Sequence, residues 1–195
     1  MKFYELLEKP QVYNWNMKIF SLNNKTLLGC LDRLIDAQEG DRILDVGCGT
    51  GKYAIFKKGY YLGIDPNGEY IDYAQKNHAG EFLVMDARNI ALADNSFNKV
   101  FCLSTFHHIA DEDTEKIIQE MKRICQPGGY VYAIDAVYPR NLLGDLLFKL
   151  DRGRYQKSFR QLNDFLSRRG FKVVTEKVKK TFPYRWAVFS YQKPN

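Results

Sequence analysis

No stretch of this 195-residue sequence approaches the ~20 consecutive apolar residues that a membrane-crossing helix requires. The opening residues, Met1-Lys2-Phe3-Tyr4-Glu5, hold no apolar signal core. Cysteine is scarce. Cys30, Cys48, Cys102 and Cys125 form no C-x-x-C pair, and the histidines stand away from metal-ligand spacing to them. No metal site is therefore expected, and a reducing compartment is. Cys30, Cys102 and Cys125 lie inside apolar runs and read as small buried hydrophobes. Internal repeats, low-complexity tracts and linkers are missing as well. One soluble, cytoplasmic domain is the expectation, with no membrane span.

What is present is ordinary for a globular protein: 45% hydrophobic and 27% charged residues. The formal net charge of +6 permits an acidic partner. A solvated basic surface is the plainer reading, because no nucleic-acid motif accompanies the charge, so nucleic acid is disfavoured. Oligomeric state is left open.

Periodicity divides the chain into alternating elements. Apolar residues recur at helical spacing over Met17–Asp36, and Gly40 closes that segment. Strands are expected at Arg42–Val46, Tyr60–Ile64, Glu81–Met85, Val100–Leu103 and Tyr130–Ile134. Between them fall helices at Lys52–Lys57, at Asn67–Asn77, and from a capping Asp111 to Cys125. Pro127-Gly128-Gly129 reads as a stop and turn. Residues 136–157 break the rhythm, with Pro139 and a helix expected over Leu142–Leu150. A helix at Ser158–Arg169 and strands at Phe171–Val178 and Tyr184–Tyr191 complete the chain. Such alternation predicts an α/β fold: a three-layer, Rossmann-like sandwich with helices on both faces. Its seven-stranded sheet should be mostly parallel, with the last strand antiparallel. The single domain 1–195 then divides into an N-terminal arm (1–39), a core (40–135), an insertion (136–157) and a C-terminal helix and hairpin (158–195).

The sharpest local signal is Ile43-Leu44-Asp45-Val46-Gly47-Cys48-Gly49-Thr50-Gly51, a buried strand running straight into glycines. Glycine lets a ligand touch bare backbone, and a following helix would offer unpaired N–H groups. A phosphate-binding P-loop is excluded, because Val46 stands at its first glycine and Tyr53 at its Ser/Thr. A dinucleotide loop fits Gly47 and Gly49 but meets Lys52 at its third glycine. A loop for a nucleoside without phosphates tolerates that lysine.

Here the residues resemble the class I S-adenosylmethionine-dependent methyltransferases, of the small-molecule, type 11-like group. Leu44–Gly51 looks like the family's first motif, and Gly63-Ile64-Asp65-Pro66 and Val84-Met85-Asp86-Ala87 look like its second and third. The stretches Phe101–Ile109 and Met121–Gly129 match further on. The resemblance implies S-adenosylmethionine as cofactor and S-adenosylhomocysteine as product. It implies a cofactor site of Asp45, Gly47, Cys48, Gly49, Thr50, Gly51, Asp65, Pro66, Asp86, Ala87, Ser104, Thr105 and His108. Asp65 would accept from both ribose hydroxyls, or serve only as the turn residue of Asp-Pro-Asn-Gly. Asp86 would meet the adenine amino group, or merely cap a helix. The helix after the first motif is shorter than the family usually shows.

Methyl transfer displaces a good neutral leaving group, so the protein chiefly positions the acceptor and excludes water. A phenol or carbon acid would need a base; an amine, thiolate or carboxylate would not. His108 and His107 are the candidate bases, with His108 favoured by the resemblance and Asp135 a weaker rival. Ser104-Thr105-Phe106-His107 stands where adenine- and glutamine-methylating enzymes carry Asn/Asp-Pro-Pro-Tyr/Phe, which argues against those substrates. The acceptor is expected to be a small molecule, possibly anionic: Arg152 and Arg154 suit a carboxylate or phosphate, and Tyr13 and Trp15 belong to an arm or lid. A solvated basic turn is the alternative for the arginines. Three other functions stay open: a non-catalytic cofactor-binding partner module, an RNA methyltransferase, and a nicotinamide-dependent oxidoreductase.

Overall fold

The computed structural model describes residues 24–137, 154–175 and 185–195. Four helices are described: α1 (Asn24–Ile35), α2 (Gly68–Asn77), α3 (Asp111–Ile124) and α4 (Phe159–Ser167). Seven strands form one sheet: β1 (Arg42–Val46), β2 (Tyr60–Asp65), β3 (Glu81–Val84), β4 (Phe97–Leu103), β5 (Cys125–Val137), β6 (Lys172–Thr175) and β7 (Arg185–Gln192). The strand order is β3-β2-β1-β4-β5-β7-β6, with β7 antiparallel to both neighbours and the other pairings parallel. This is the Rossmann-like three-layer architecture expected. The expected helix at Leu142–Leu150 lies outside the described residues.

Each face of the sheet carries its own core. Leu27, Leu31 and Ile35 of α1 and Ile71 and Ala74 of α2 pack on one side with Ile43, Phe101 and Val188. Ile117, Ile118, Met121 and Ile124 of α3 and Leu162 and Leu166 of α4 pack on the other with Leu44, Val100 and Val131. The helices begin where local chemistry starts them. The Asn67 side chain accepts from the Glu69 and Tyr70 N–H groups, and Ser158 forms a capping box with Gln161. In α3, Ala110 rather than Asp111 is the N-cap. Asp111, Glu112 and Asp113 fill the first turn, and Lys122 and Arg123 the last, so both ends suit the helix dipole.

Two expected elements differ. No helix forms over Lys52–Lys57. The segment between Gly51 and Gly59 is too short to repay helix nucleation. Its consecutive apolar residues Tyr53, Ala54, Ile55 and Phe56 lie against the α1-side core instead. Nor does Pro127-Gly128-Gly129 form a turn. Cys125 pairs with Phe97 and Tyr130 with Lys99, so the intervening residues bulge out of register within one strand. The Gly128 N–H donates to the Lys193 carbonyl (2.9 Å), and the Lys193 N–H to that of Gly129 (3.0 Å), so the chain end holds the bulge. All four cysteines are free thiols; Cys48, Cys102 and Cys125 are buried, whereas Cys30 is only half-buried.

One close approach fixes how the glycine loop seats on the sheet. A Cβ at Gly63 of β2 would lie 2.8 Å from Cys48 Sγ and 2.8 Å from Phe82 Cδ1. Gly63→Ala should therefore cost about 1–3 kcal/mol by overpacking, read as a lower urea midpoint with unchanged slope. An unshifted midpoint would mean that the loop seats with slack.

Candidate cofactor and acceptor site

Parallel register brings five strand ends to one edge of the sheet. Asp65 ends β2 opposite Val84, and Asp86 lies two residues beyond β3. Asp45 is the penultimate residue of β1, where Val46 pairs with Cys102 of β4. Ser104 follows β4, whose Leu103 pairs with Ile134, so Asp135 stands level with it. The strand order reverses between β1 and β4, and open α/β sheets bind ligands at such a point. The sequence signals that looked separate along the chain converge here.

The loop after β1 folds back on β2. The Gly47 and Cys48 N–H groups both donate to the Ile64 carbonyl, at 2.8 and 3.0 Å. The Gly49 N–H donates to Asp65 Oδ2 at 2.9 Å, and the Gly51 N–H to the Cys48 carbonyl at 3.0 Å. These donors are spent internally, which is the wrong arrangement for a phosphate cradle and removes the physical basis of a pyrophosphate-binding loop. Across the reversal point, a Cβ on Gly47 (φ +77°) would meet Thr105 Oγ1 at 2.7 Å. Only glycine lets the loop and the turn after β4 close on each other. Cys48 and Thr50 are buried, 3% and 1% exposed, so their side chains turn inward rather than line the edge.

Asp65 is anchored by two backbone N–H groups. Its Oδ2 accepts from Gly49 and its Oδ1 from the Asn67 N–H, also at 2.9 Å. A carboxylate oxygen accepts more than one bond, so each keeps capacity for a ligand hydroxyl. Burial raises the Asp65 pKa, and the two N–H bonds oppose that shift. Pro66 beside it is exposed. Asp86 is different: it is exposed, and Arg88 grips it, with Nη2 at 2.6 Å from Oδ2, while Nη1 reaches Asp113 at 3.1 Å. The Arg88 hydrogen bonds hold the Asp86 carboxyl below its ordinary pKa. Ala87 is half-buried.

The turn after β4 is strained and pinned. Ser104 adopts φ +61°, a left-handed conformation that costs a non-glycine residue about 1–2 kcal/mol. Its N–H donates to the Ile134 carbonyl at 2.9 Å. His107 and His108 form a single 3-10 turn with Phe106. His107 is 3% exposed and bonds Asp135, whereas His108 is exposed. Arg154 is exposed, close in sequence to Tyr155, whose N–H donates to the His107 carbonyl at 3.0 Å. Tyr13, Trp15 and Arg152 lie outside the described residues.

Comparison with known proteins decides what this edge belongs to. The methyltransferase-domain family profile matches residues 44–133, which spans the loop, both anchored carboxylates and the turn after β4. Residues 44–133 are a domain of the class I S-adenosylmethionine-dependent methyltransferase type. S-adenosylmethionine is the cofactor of that family. A probable tRNA methyltransferase 9B of Homo sapiens is 32% identical over 139 residues, which cover 66% of this chain and 30% of that protein. A fatty-acid O-methyltransferase of Mycolicibacterium smegmatis is 34% identical over 106 residues, covering 50% of this chain and 38% of that protein. The chain thus spans about a third of the length of these curated relatives. A SAM-dependent methyltransferase from Aquifex aeolicus shares the fold, with a TM-score of 0.70 at 22% identity over 91% of this chain and 96% of that one.

Some partners at this edge carry a weak sequence signal. Arg88 follows Asp86 by two residues, a spacing at which a side chain folds back readily. Tyr61 sits diagonally across the β1–β2 ladder from Asp45, whose direct partner is Gly63. With no side chain at Gly63, the Tyr61 hydroxyl reaches Asp45 Oδ2 at 2.6 Å. Asp45 is 1% exposed, and burial lifts its pKa from 3.8 to about 7, with the Tyr61 hydrogen bond opposing and the Asp65 charge assisting.

Because the folded-state pKa lies above the unfolded one, the folded form holds a proton that the unfolded form has released between pH ~4 and ~7. Asp45 thus lowers stability progressively as pH rises through that window and evenly above it. Asp45→Asn, which keeps an acceptor for Tyr61, should match the wild type near pH 4 and exceed it by about 2–4 kcal/mol at pH 8 in urea unfolding. A difference that does not change with pH would contradict this.

Proposed function

We propose that this methyltransferase transfers the methyl group of S-adenosylmethionine to a small, anionic acceptor, with a carboxylate as the accepting group. The observation that carries the cofactor half is Asp65, whose two oxygens are each fixed by a backbone N–H at 2.9 Å while facing the loop. A carboxylate so held suits a pair of vicinal ribose hydroxyls. In this reading Gly47, Gly49 and Gly51 allow close approach of the nucleoside, with Cys48 and Thr50 supporting them from beneath. Asp65 and Pro66 bracket the ribose, Asp86 and Ala87 the adenine edge, and Ser104, Thr105 and His108 the reacting side. Asp45, buried below the loop, supports it. When bound, S-adenosylmethionine supplies a methyl carbon already activated by a sulfonium, open to in-line displacement.

The protein's own part is placement. The edge holds the acceptor on the far side of the methyl carbon and keeps water out. A carboxylate arrives ionised at neutral pH, so no side chain has to remove a proton. This agrees with the exposed cation of Arg154 near the turn, with Arg152 close in sequence, and with the name of the fatty-acid O-methyltransferase relative. An RNA acceptor is the second reading. It is favoured by the net charge of +6 and by the tRNA methyltransferase relative.

Calorimetric titration of the whole chain tests the cofactor half. S-adenosylhomocysteine should bind, and Asp65→Asn should weaken it by about tenfold or more, the worth of hydrogen bonds to a charged acceptor. No heat with either S-adenosylhomocysteine or S-adenosylmethionine, or equal affinity in the variant, would remove the assignment. For the acceptor half, methyl-labelled cofactor is offered with a long-chain fatty acid or with total tRNA. Label in the lipid fraction supports a carboxylate acceptor. Label in the tRNA fraction, lost steeply as salt rises, supports the RNA reading.

A further inference from the structure

One buried pair has no part in the reading above. Asp135 Oδ1 lies 2.5 Å from His107 Nδ1, with the two side chains 4% and 2% exposed. The same carboxylate accepts the His107 backbone N–H at 3.1 Å and the Ala136 N–H at 2.7 Å. A buried carboxylate is tolerated only when its oxygens are satisfied in this way. The arrangement ties the end of β5 to the turn after β4 through both the ring and the backbone of one residue.

Two further contacts hang on His107. Its ring centroid lies 4.0 Å from that of His108, the exposed member of the pair. Its carbonyl accepts the Tyr155 N–H at 3.0 Å, which joins the segment carrying Arg154 to the turn. That segment is held again by the ion pair between Lys157 and Asp111 at 2.6 Å, at the start of α3. The His107 ring is sealed from solvent, so His108, Tyr155 (44% exposed) and Arg154 are the groups this wall presents.

We propose that Asp135 is a positioning residue for the acceptor-facing wall: it locks His107, and His107 in turn seats the His108 ring and anchors the chain at Tyr155. The proposal rests on the methyl-transfer reading for what the wall faces, but the mechanical link stands on the contacts alone. It gives the two adjacent histidines different jobs. His107 is the buried stem and His108 the surface it carries.

Nuclear magnetic resonance on the isotope-labelled whole chain reads the link without a known acceptor. In Asp135→Asn the Tyr155 amide should exchange with solvent about tenfold faster relative to amides of β1, and the His108 ring signals should move. Affinity for S-adenosylhomocysteine should stay within about twofold of wild type. In His107→Asn the new side-chain amide replaces Nδ1 as donor to Asp135 while the ring is gone. Tyr155 should then stay protected and only the His108 signals should move. If Asp135→Asn does not fold, His107→Asn decides alone, and unmoved His108 signals overturn the proposal. So does wild-type exchange at Tyr155 in folded Asp135→Asn, or a tenfold loss of S-adenosylhomocysteine affinity there, which would assign Asp135 to the cofactor side. Failure of the wild type to bind S-adenosylhomocysteine sinks the functional reading instead and leaves this link to be judged by the exchange and ring signals.

Discussion

The bond from the Gly49 N–H to Asp65 Oδ2 holds the rest of the site in place. It closes the loop after β1 onto the end of β2. The Ile64 carbonyl, which takes the Gly47 and Cys48 N–H groups, completes the closure. With those donors turned inward, the loop becomes a bare, uncharged ledge rather than an anion cradle. In the proposed function the carboxylate that holds the ledge also faces the ligand, so that one side chain would add recognition to its structural work.

That economy is set against stability. Asp45 sits at 1% exposure with its pKa lifted to about 7, and Ser104 occupies a left-handed conformation without being glycine. Asp135 lies buried against the His107 ring. An apolar core and a relaxed turn would be more stable at each place. These costs lie at the carboxyl edge of the sheet; the opposite edge also holds left-handed residues, Asp36 (φ +45°) and Asn95 (φ +56°), and is well capped. There Lys193 Nζ donates to the Lys122 and Cys125 carbonyls at the end of α3, at 2.9 and 2.8 Å. Natural domains accept local strain where a function demands a particular geometry.

Much of the architecture was legible because the local signals agreed. Arg42–Val46 is a β-branched run ending in glycine, and its boundaries come out as expected. The helix over Asn67–Asn77 needed only its cap, and Asn67 provides it. Lys52–Lys57 misled because its lysines at either end suggest a helix surface, while its apolar centre has no single face. Pro127-Gly128-Gly129 misled because a bulge and a turn use the same residues; only the pairing partner, Lys193, decides between them. In the site, the spacing of Asp45, Asp65 and Asp86 located the edge. For Arg88 it gave only the two-residue separation from Asp86, and it carried no information that Tyr61 covers Asp45, which depends on a distance across the sheet. The two histidines were indistinguishable by type. Their burial, and the Asp135 carboxylate 28 positions away, separate them.

The central claim is that the carboxyl edge of β3-β2-β1-β4 receives the nucleoside as one surface. Mapping amide resonances during a titration with S-adenosylhomocysteine tests it most directly. Signals of Gly49, Asp65, Ala87 and Ser104 should move together along one saturating curve, while those of Gly128 and Lys193 at the opposite edge stay still. Shifts confined to that opposite edge, or a saturating titration that leaves Gly49 and Asp65 unmoved, would contradict the account.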